Sequence, residues 1–511
     1  MDRLVLLVFC VLLTLGGRTQ SQEAEHVRIE IVSGDEWAYD KEIGPDVTII
    51  RGNAVFKHEE AYLYCDSAYL NEKKNNLDAF GNVHVVDHDT VNLWGNRLSY
   101  DGNTRIVVMR GRVKLQDPST TLYADPLFYD RNKRVAYYTT GGRILNDENT
   151  LTSVYGAYLT EEQMLFFNDS VVVTGPDYTT RSDTLRYDTQ REILYFHGPA
   201  SLHSEANRIY CEEGFYDTKK ERCRLSEKVI IYYEEQILKA DSVFYNKAAE
   251  YGEAFRNVHL LDTVQRVEIV GHYAEYARNK GFSYVTDSAV AMLYEKRDTL
   301  YLHADTLKTY FNDSTRQVEQ MICWLGVKFY RDDIQGMCDS LSYGFADSTI
   351  VLYQNPVLWS EENQLTADTI AIFLQDGAVS SLTLANSSFI VSLDDTTQFN
   401  QVKGKNMTAL FAHNKLHTVR VNEQAHTLYY LRDEEGHLVG INKATSEDMK
   451  IWIADNRVKR IAYLKKPKAP LYPPEKLPLE ERILQGFRWL QPLRPLHKAD
   501  IFQLPADTVG N

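Results

Sequence analysis

The sequence predicts an all-β protein built of about 30-residue repeats of bent antiparallel strands, and three observations support this prediction. The stretch from Gly111 to Ile144 returns in varied form along most of the chain. Within each copy, apolar residues alternate with polar ones, as they do in strands that are buried on one face. The 33 Tyr and 20 Phe are typical of a sheet protein, and 27 Gly with 14 Pro are too few for a disordered or collagen-like chain.

A change of parity within this alternation predicts that the strands bend. Leu122 and Ala124 lie at even positions before Asp125, whereas Leu127 and Tyr129 lie at odd positions after it. A regular strand keeps its parity, so we expect a bulge or corner that adds one residue and leaves both arms facing inward. The same switch occurs in two further stretches, which are Leu238, Ala240, Asp241, Val243 and Tyr245, and Leu365, Ala367, Asp368, Ile370 and Ile372.

Alignment on the bend gives a corner position about every 30 residues. The corners are Asp66, Asn96, Asp125, Gly156, Asp183, Glu212, Asp241, His272, Asp305, Asp339 and Asp368. Between them, β-branched runs follow Gly52-Asn53, Gly81-Asn82, Gly111-Arg112, Arg256-Asn257 and Asn355-Pro356, and we interpret these pairs as strand openings. Each repeat is therefore expected to contain two bent, antiparallel strands.

The ends of the chain differ from the array in composition. Residues 1–21 carry Arg3 and then an apolar run that is short for a membrane-spanning helix, which predicts a secretory signal peptide and export. A lead-in over 22–46 precedes the repeat array over 47–376. Residues 377–464 are expected to continue the same sheet with longer strands, and to turn at Glu435-Gly436 and Asp455-Asn456.

The C-terminal segment, residues 465–511, is rich in proline, which central strands exclude. Within it, Leu479, Ile483, Phe487 and Leu490 recur at helical spacing and predict a short helix over Leu479–Leu490. We expect this helix to cover the open edge of the sheet near Ile451 to Tyr463, because natural sheets protect their unpaired edges.

The cysteines and the charge exclude several classes of function. Cys65, Cys211 and Cys338 occupy the small position before a corner, which favours buried thiols that act as small apolar residues. A disulfide between Cys211 and Cys223, on successive strands, remains an alternative. The net charge of −15 argues against nucleic-acid binding, since that function needs a basic face.

The corner carboxylates have two interpretations. An Asp at a bend can accept a hydrogen bond from a backbone N–H two residues further on, which would explain its recurrence. Alternatively, stacked acids could bind Ca²⁺ or act as the acid and base of a glycoside hydrolase. The structural interpretation is favoured, because a catalytic pair would occur once.

Motifs of catalysis or metal binding do not stand out. The pairs His84/His88 and His413/His417 have a spacing that places both rings on one face of a strand, but neither pair has a third ligand at a suitable spacing. The sequence contains no Gly-x-Ser-x-Gly elbow, phosphate loop or His-Glu-x-x-His motif. We therefore expect no enzyme activity, no cofactor and no metal site.

A tyrosine recurs four residues after many corners and could serve packing, sugar stacking or a lipid channel. The series is Tyr100, Tyr129, Tyr187, Tyr216, Tyr245, Tyr276 and Tyr343. Aromatic residues at matched positions of neighbouring strands stabilise a sheet by about 0.2–1 kcal/mol per pair, which favours packing.

Three motifs carry a resemblance to a known family. They are Ala124-Asp125-Pro-Leu127-Phe-Tyr129-Asp130, Ser182-Asp183-Thr-Leu185-Arg-Tyr187-Asp188 and Ala240-Asp241-Ser-Val243-Phe-Tyr245-Asn246. With the strand starts that follow them, they resemble the OstA-like (organic solvent tolerance) family, over about Val47 to Leu464. That family includes the periplasmic bridge protein of lipopolysaccharide export and the periplasmic domain of the outer-membrane translocon.

The resemblance implies a fold, a place and a set of partners. Members have a taco-like β-jellyroll, in which two sheets of bent antiparallel strands surround an apolar interior that holds acyl chains. The resemblance therefore implies that the repeats of this chain form an extended β-jellyroll of this kind. By resemblance, this chain would lie in the periplasm of a Gram-negative bacterium and bind lipopolysaccharide or a related lipid. It would meet inner- and outer-membrane transport proteins, and would associate end to end with further copies.

These expectations combine into one predicted function and two alternatives. The chain would shield lipopolysaccharide acyl chains in an apolar trough between the inner and outer membranes during outer-membrane biogenesis. The candidate trough residues are Leu122, Ala124, Leu127, Tyr129, Leu185, Tyr187, Val243, Tyr245, Leu307 and Ile370. The alternatives are a secreted structural or adhesive β-solenoid that binds glycans or protein partners, and a polysaccharide-cleaving β-helix enzyme.

Overall fold

The computed structural model describes residues 27–88, 90–146, 149–205, 207–294, 298–312, 317–375, 378–412, 415–433, 435–454 and 457–502. Strands make up 72% of it and helices 4%, and no described helix reaches seven residues, which confirms the all-β fold class. The predicted signal peptide lies outside the described residues, as do His413 and the expected turn at Asp455-Asn456. No helix in the described ranges is long and apolar enough to cross a membrane.

The chain divides into two compact units within the strand Tyr178–Asp188. Unit 1 comprises residues up to Pro176 together with Asp183–Gln190, and unit 2 comprises Asp177–Ser182 and the chain from Arg191 onward. The strands up to this division are β1 Glu30–Ser33, β2 Glu36–Tyr39, β3 Val47–His58, β4 Ala61–Asn71, β5 Asn76–Asp87, β6 Val91–Asp101, β7 Ile106–Arg110, β8 Lys114–Gln116, β9 Thr120–Ala124, β10 Leu127–Asp130, β11 Val135–Tyr138, β12 Gly142–Asn146, β13 Asn149–Ser153, β14 Tyr155–Leu159, β15 Met164–Thr174 and β16 Tyr178–Asp188.

Unit 2 continues with antiparallel strands and adds short 3₁₀ turns. Its strands are β17 Ile193–Ser204, β18 Asn207–Asp217, β19 Arg222–Tyr233, β20 Gln236–Asn246, β21 Tyr251–Asp262, β22 Val267–Ala277, β23 Phe282–Tyr294, β24 Thr299–Phe311, β25 Val318–Arg331, β26 Ile334–Gly344, β27 Thr349–Tyr353, β28 Val357–Ser360, β29 Asn363–Thr366, β30 Thr369–Gln375, β31 Ala378–Asp395, β32 Gln398–Ala412, β33 Lys415–Asn422, β34 Ala425–Arg432, β35 Leu438–Ser446, β36 Asp448–Ala454, β37 Arg457–Leu464 and β38 Leu471–Tyr472. The 3₁₀ turns are Arg278–Lys280, Pro474–Lys476, Leu479–Arg482, Gln491–Leu493 and Lys498–Phe502.

The long strands bend near their middle, where neighbouring strands differ in length by one residue. Where β3 pairs with β4, Arg51 lies opposite Ser67 and Ala54 lies opposite Cys65, so that two residues of β3 oppose Asp66 alone. The register shifts again between β4 and β5 and between β5 and β6. A bulge of this kind increases the local twist and turns the chain. The expectation of two bent strands per repeat is thereby confirmed.

The interpretation of the turn-forming pairs as strand openings is wrong for Gly52-Asn53, Gly81-Asn82 and Arg256-Asn257, which are bulges inside strands. Gly111-Arg112 and Asn355-Pro356 do stand between strands, before β8 and β28. Gly81 and Asn82 lie inside β5 with φ of +73° and +42°, opposite the corner residues of the strands on either side. A Cβ on Gly81 would lie 2.8 Å from Cγ of Asp66. The sequence misled because glycine and asparagine adopt positive φ easily, which turns and mid-strand bulges both require. One corner also shifts, because the break between β13 and β14 falls at Val154 rather than at Gly156.

Each bend divides a strand into two arms, and the arms form two layers. In β4, residues 61–65 belong to the layer that we call layer A, and residues 67–71 belong to layer B. Inward-facing residues of both arms are buried, among them Leu63 in layer A and Leu70 in layer B. The core of each unit therefore lies between its layers.

The strands after β32 are shorter than expected. Strands β33 to β37 have 7–9 residues, and the turn at Glu435-Gly436 is present between β34 and β35. They are short because each stays within one layer: β34 and β35 pair in layer A, and β33, β36 and β37 pair in layer B.

The expected helix over Leu479–Leu490 is absent, and a 3₁₀ turn at Leu479–Arg482 takes its place. Proline at positions 478 and 492 restricts the backbone on both sides, and Gly486 has φ of +91°. The predicted apolar stripe is not a packing face, because Leu479 is 76% exposed.

The C-terminal segment instead forms a strap, residues 465–502, over the outer face of layer A in unit 2. Its strand β38 pairs with β35, away from the expected edge near Ile451 to Tyr463. Buried glutamines hold the strap: Gln364 donates to the Arg488 carbonyl at 2.7 Å and accepts from Leu490 N–H at 2.7 Å. Gln401 donates to the Arg482 carbonyl and accepts from Leu484 N–H in the same way.

Candidate functional site

Tyrosine hydroxyls join the two layers of unit 1 on the side opposite the bends. Each comes from layer B and bonds a polar side chain of layer A that lies 41 or 42 residues earlier. The pairs are Tyr100 with His58 at 2.6 Å, Tyr129 with Asp87 at 3.1 Å, Tyr158 with Asp117, and Tyr187 with Asn146 at 3.2 Å. We call these four pairs the tyrosine seal.

A buried arginine strengthens the first part of the seal. Arg131 donates to a carboxylate oxygen of Asp87 at 3.1 Å and to the hydroxyl of Tyr100 at 2.9 Å. Burial by itself raises the pKa of Asp87, but Arg131 outweighs it and holds that pKa below its ordinary value. Burial lowers the pKa of His58, so the imidazole is held neutral beside Arg131.

The interior of unit 1 is packed at this seal. The cavity beside His58, Tyr100 and Arg131 measures 30 Å³, which is little more than the volume of one water molecule. Of the candidate trough residues, six lie in unit 1 and all are buried. They are Leu122, Ala124, Leu127, Tyr129, Leu185 and Tyr187.

Unit 2 differs at the same inward positions of layer A. In unit 1 these positions are closed, as Leu93, Leu115, Leu122 and Leu151 illustrate with exposures of 0–1%. In β17 to β22 they are partly exposed, although every one of them is aliphatic. These residues are Leu202, Ile209, Ile231, Leu238, Leu260 and Ile269. We call this stretch the open groove.

Buried small residues and partly exposed tyrosines accompany the open groove. Ala240 and Val258, near the bends of β20 and β21, are buried. In layer B, Tyr216 and Tyr276 are partly exposed and Tyr245 is 36% exposed. Burial raises the pKa of Tyr245, so its hydroxyl stays protonated at neutral pH. The layers of unit 2 meet again farther along, where Tyr463 bonds Asn442 at 2.7 Å.

The remaining candidate trough residues lie in unit 2. Val243 and Tyr245 lie on the layer B arm of β20, where Val243 is buried and Tyr245 is exposed. Leu307 and Ile370 face inward from β24 and β30 and are buried.

Sequence reasoning missed Tyr158 and every partner of the tyrosine seal. Tyr158 was missed because the corner before it was placed at Gly156 instead of Val154. Its signal was available, since Tyr100, Tyr129, Tyr158 and Tyr187 follow one another at intervals of 29 residues. A polar residue 41 or 42 positions before each tyrosine would have been the matching signal.

The corner carboxylates of Asp66 and Asp241 bond across the sheet and not to the chain two residues on. Asp66 accepts from the side-chain amide of Asn82 at 2.9 Å, and Asp241 accepts from Asn257 at 3.1 Å. The expected partner was wrong because the bulge on the neighbouring strand brings its own donor to the corner. No cluster that could hold a metal ion occurs within the described ranges.

The five cysteines of the described ranges are free and buried. Cys211 and Cys223 form no disulfide, and burial raises the pKa of Cys211 to about 12 and that of Cys223 to about 11. These thiols are therefore protonated at neutral pH and act as small apolar residues.

Two family models match the chain. Residues 26–183 match the model described as OstA-like protein, and residues 293–378 match the model described as LptA/(LptD N-terminal domain) LPS transport protein. These are families of transport proteins and not of enzymes. A search of curated proteins found no match.

A solved structure is also similar to part of the chain. It is LptH, described as the LptA homologous periplasmic component of the conserved lipopolysaccharide transport device from Pseudomonas aeruginosa. The identity is 19% and the TM-score 0.14, and the alignment covers 26% of this chain and 79% of LptH. The two family models are the basis of the comparison: the chain is similar to OstA-like proteins over residues 26–183 and to lipopolysaccharide-transport proteins over residues 293–378.

Proposed function

We propose that this protein carries lipopolysaccharide, or a related lipid, with its acyl chains in the open groove of unit 2. The observation that supports this most is the partial exposure of six aliphatic residues at positions that are closed in unit 1. An aliphatic surface facing water is costly, at about 0.8 kcal/mol per CH₂ group, and burying acyl chains against it removes that cost from both partners.

The chemistry of the open groove suits a carrier. Its tyrosines present an apolar ring to the groove and a hydroxyl to water, as amphipathic side chains do where an apolar ligand meets solvent. Carriage needs no bond making, in keeping with thiols that stay protonated. The tyrosine seal excludes acyl chains from unit 1 in this conformation, and unit 1 acts as a closed support.

The setting follows from the same proposal. Such a carrier works in the periplasm of a Gram-negative bacterium, between inner- and outer-membrane transport proteins that load and receive the lipid. The predicted signal peptide supports export. End-to-end association with further copies would extend the path.

A crosslinking experiment in cells tests the proposal. A photoreactive amino acid replaces Leu238 or Leu260 in the open groove, and Leu122 or Lys239 in matched controls. Leu122 occupies an inward position of sealed unit 1, and Lys239 faces outward from the same strand as Leu238. We expect lipopolysaccharide adducts at Leu238 and Leu260 only.

Two results would contradict the proposal. Equal labelling at Lys239 and Leu238 would mean that lipid contacts the surface without entering the groove. Labelling at neither groove position, with the protein present in normal amount, would favour the adhesive or structural alternative.

A further inference from the structure

A second cavity lies on the opposite face of the sheet from the open groove. It measures 800 Å³ and opens on the outer face of layer B in unit 2, near the bends of β25 to β30. Its lining combines two aromatic side chains, Trp324 and Tyr353, with polar residues. This mixture differs from the purely apolar lining that an acyl chain requires.

The strand register explains the shape of this outer cleft. Ser340 of β26 lies directly between Trp324 of β25 and Tyr353 of β27. Neighbouring strands are about 4.8 Å apart, so the two aromatic side chains stand roughly 10 Å apart with a small residue between them. Trp324 and Tyr353 thus form two aromatic walls of the cleft, and Ser340 forms the floor between them.

Ser342 and Tyr353 of the outer cleft bond each other at 3.1 Å, whereas four longer polar side chains of its lining are not used within the described part of the protein. Among the described residues, the side chains of Gln320, Gln354, Asn355 and Asp368 make no hydrogen bond, and all four line the cleft. Asn355 differs in this respect from the asparagines that occupy the same position in other bulges.

Other bulges use the equivalent asparagine for the fold. Asn82 and Asn257 each bond the corner aspartate that lies 16 residues earlier. Asp339 stands at that separation from Asn355, but its carboxylate accepts instead from the hydroxyl of Ser340 at 2.6 Å. The side-chain amide of Asn355 is therefore available to a ligand, whereas the equivalent amides of Asn82 and Asn257 bond a corner aspartate.

We propose that the outer cleft binds an oligosaccharide. Sugar rings present C–H faces that pack on aromatic rings, and hydroxyl groups that pair with amides and carboxylates, which matches Trp324 and Tyr353 beside Gln354, Asn355 and Asp368. The cavity volume falls in the range of ligand sites. A nucleic acid is disfavoured because the net charge is −15 and the cleft carries a carboxylate.

The test measures binding of a lipid-free probe to the full exported chain. The probe is the fluorescently labelled oligosaccharide that mild acid releases from lipopolysaccharide, and dextran is the comparison sugar. The choice of this oligosaccharide rests on the proposed function, but the cleft itself does not. We expect saturable binding of the probe, with at least tenfold weaker binding by Trp324→Ala and near-normal binding by Trp324→Phe, which keeps an aromatic face.

Control variants separate the cleft from the rest of the surface. Phe373→Ala removes an aromatic residue that is 38% exposed on the neighbouring strand β30 and does not line the cleft, and should bind as the wild type does. Asp368→Asn should weaken binding if its carboxylate accepts from sugar hydroxyls. Unfolding curves establish that each variant is folded.

The outcomes are distinct from those of the groove experiment. Absence of probe binding by the wild type, or equal binding by Trp324→Ala and Phe373→Ala, overturns the outer cleft as a saccharide site, whatever the crosslinks show. Probe binding that depends on Trp324, in a protein without groove adducts, supports the cleft and rejects the carrier function.

Discussion

The hydroxyl of Tyr129 donates a 3.1 Å hydrogen bond to the carboxylate of Asp87, a residue 42 positions earlier and in the other layer. Tyr129 is 1% exposed and Asp87 is 2% exposed, so the bond lies inside unit 1. The four bonds of the tyrosine seal hold the layers of unit 1 in contact. The corresponding tyrosines of β18, β20 and β22 in unit 2 are partly open to solvent.

We expect Tyr129→Phe to destabilise the protein by about 1–3 kcal/mol, because a buried hydrogen bond to a charged acceptor is lost. Tyr137→Phe is the matched control, since Tyr137 stacks on Phe128 at 5.0 Å through its ring. Denaturant unfolding measures both. Equal loss of stability in the two variants would show that the seal contributes nothing beyond packing.

Acid should weaken unit 1 in two steps. Burial lowers the pKa of His58 below 6.5, so the folded state binds its proton less readily than the unfolded state does. The stability that the neutral His58 contributes to the folded state is complete above pH 6.5. It is lost as the pH falls through the lowered pKa of the folded state.

The second step belongs to Asp87. Its pKa lies below the ordinary value of 3.8, against the effect of burial, because Arg131 stabilises the carboxylate. Its contribution is present above pH 3.8 and is lost as pH falls through the lowered pKa. Unfolding midpoints measured from pH 8 to pH 3 test both steps. His58→Asn should remove only the first, and a midpoint that rises on acidification would contradict both.

The bulge at Gly81 requires glycine for two reasons, which are the positive φ and the closeness of Asp66. A pair of variants separates these two reasons. Gly81→Ala places a Cβ at positive φ and against Asp66, whereas Gly326 has a similar φ of +66° and nothing within 4 Å of its Cβ position. We expect Gly326→Ala to cost about 1–2 kcal/mol from the backbone alone. Gly81→Ala should cost clearly more. Thermal unfolding gives the comparison, and equal costs would mean that Asp66 moves aside freely.

The strap should depend on its buried glutamines. Gln364→Ala removes two hydrogen bonds and leaves strap backbone groups unpaired, so a loss of about 2–4 kcal/mol is expected from bonds of roughly 1–2 kcal/mol each. Gln265→Ala, at an exposed turn, is the control. Protease cleavage within residues 465–502 and denaturant unfolding report the effect. An unchanged cleavage rate would contradict the anchoring role.

Removal of the strap tests its cover of the sheet. Truncation after Lys466 uncovers an apolar cluster that includes Phe389, Leu428 and Ile441 on the outer face of layer A. We expect self-association or loss of solubility, because an exposed apolar patch promotes association. Light scattering measures it, and a truncated chain that stays monomeric and equally stable would show that the strap does not protect this face.

Sequence patterns were enough to predict the all-β fold, the repeat of two bent strands and the bends at Asp66, Asp125 and Asp241. These features are local: period-two burial and a parity change are written within one strand, so a single stretch contains the signal. The prediction of a helix in the strap was wrong, because apolar spacing alone does not show how Gly486 and the flanking prolines restrict the backbone.

Contacts between the two layers, which no single stretch of sequence reveals, set which part of the interior is closed and which is open. Parity places Leu122 and Leu238 on the same inward face, but it says nothing of the distance to the opposite layer. That distance depends on partners far apart in the chain, such as Tyr129 with Asp87. Leu122 is consequently buried in a packed core, whereas Leu238 lines a groove.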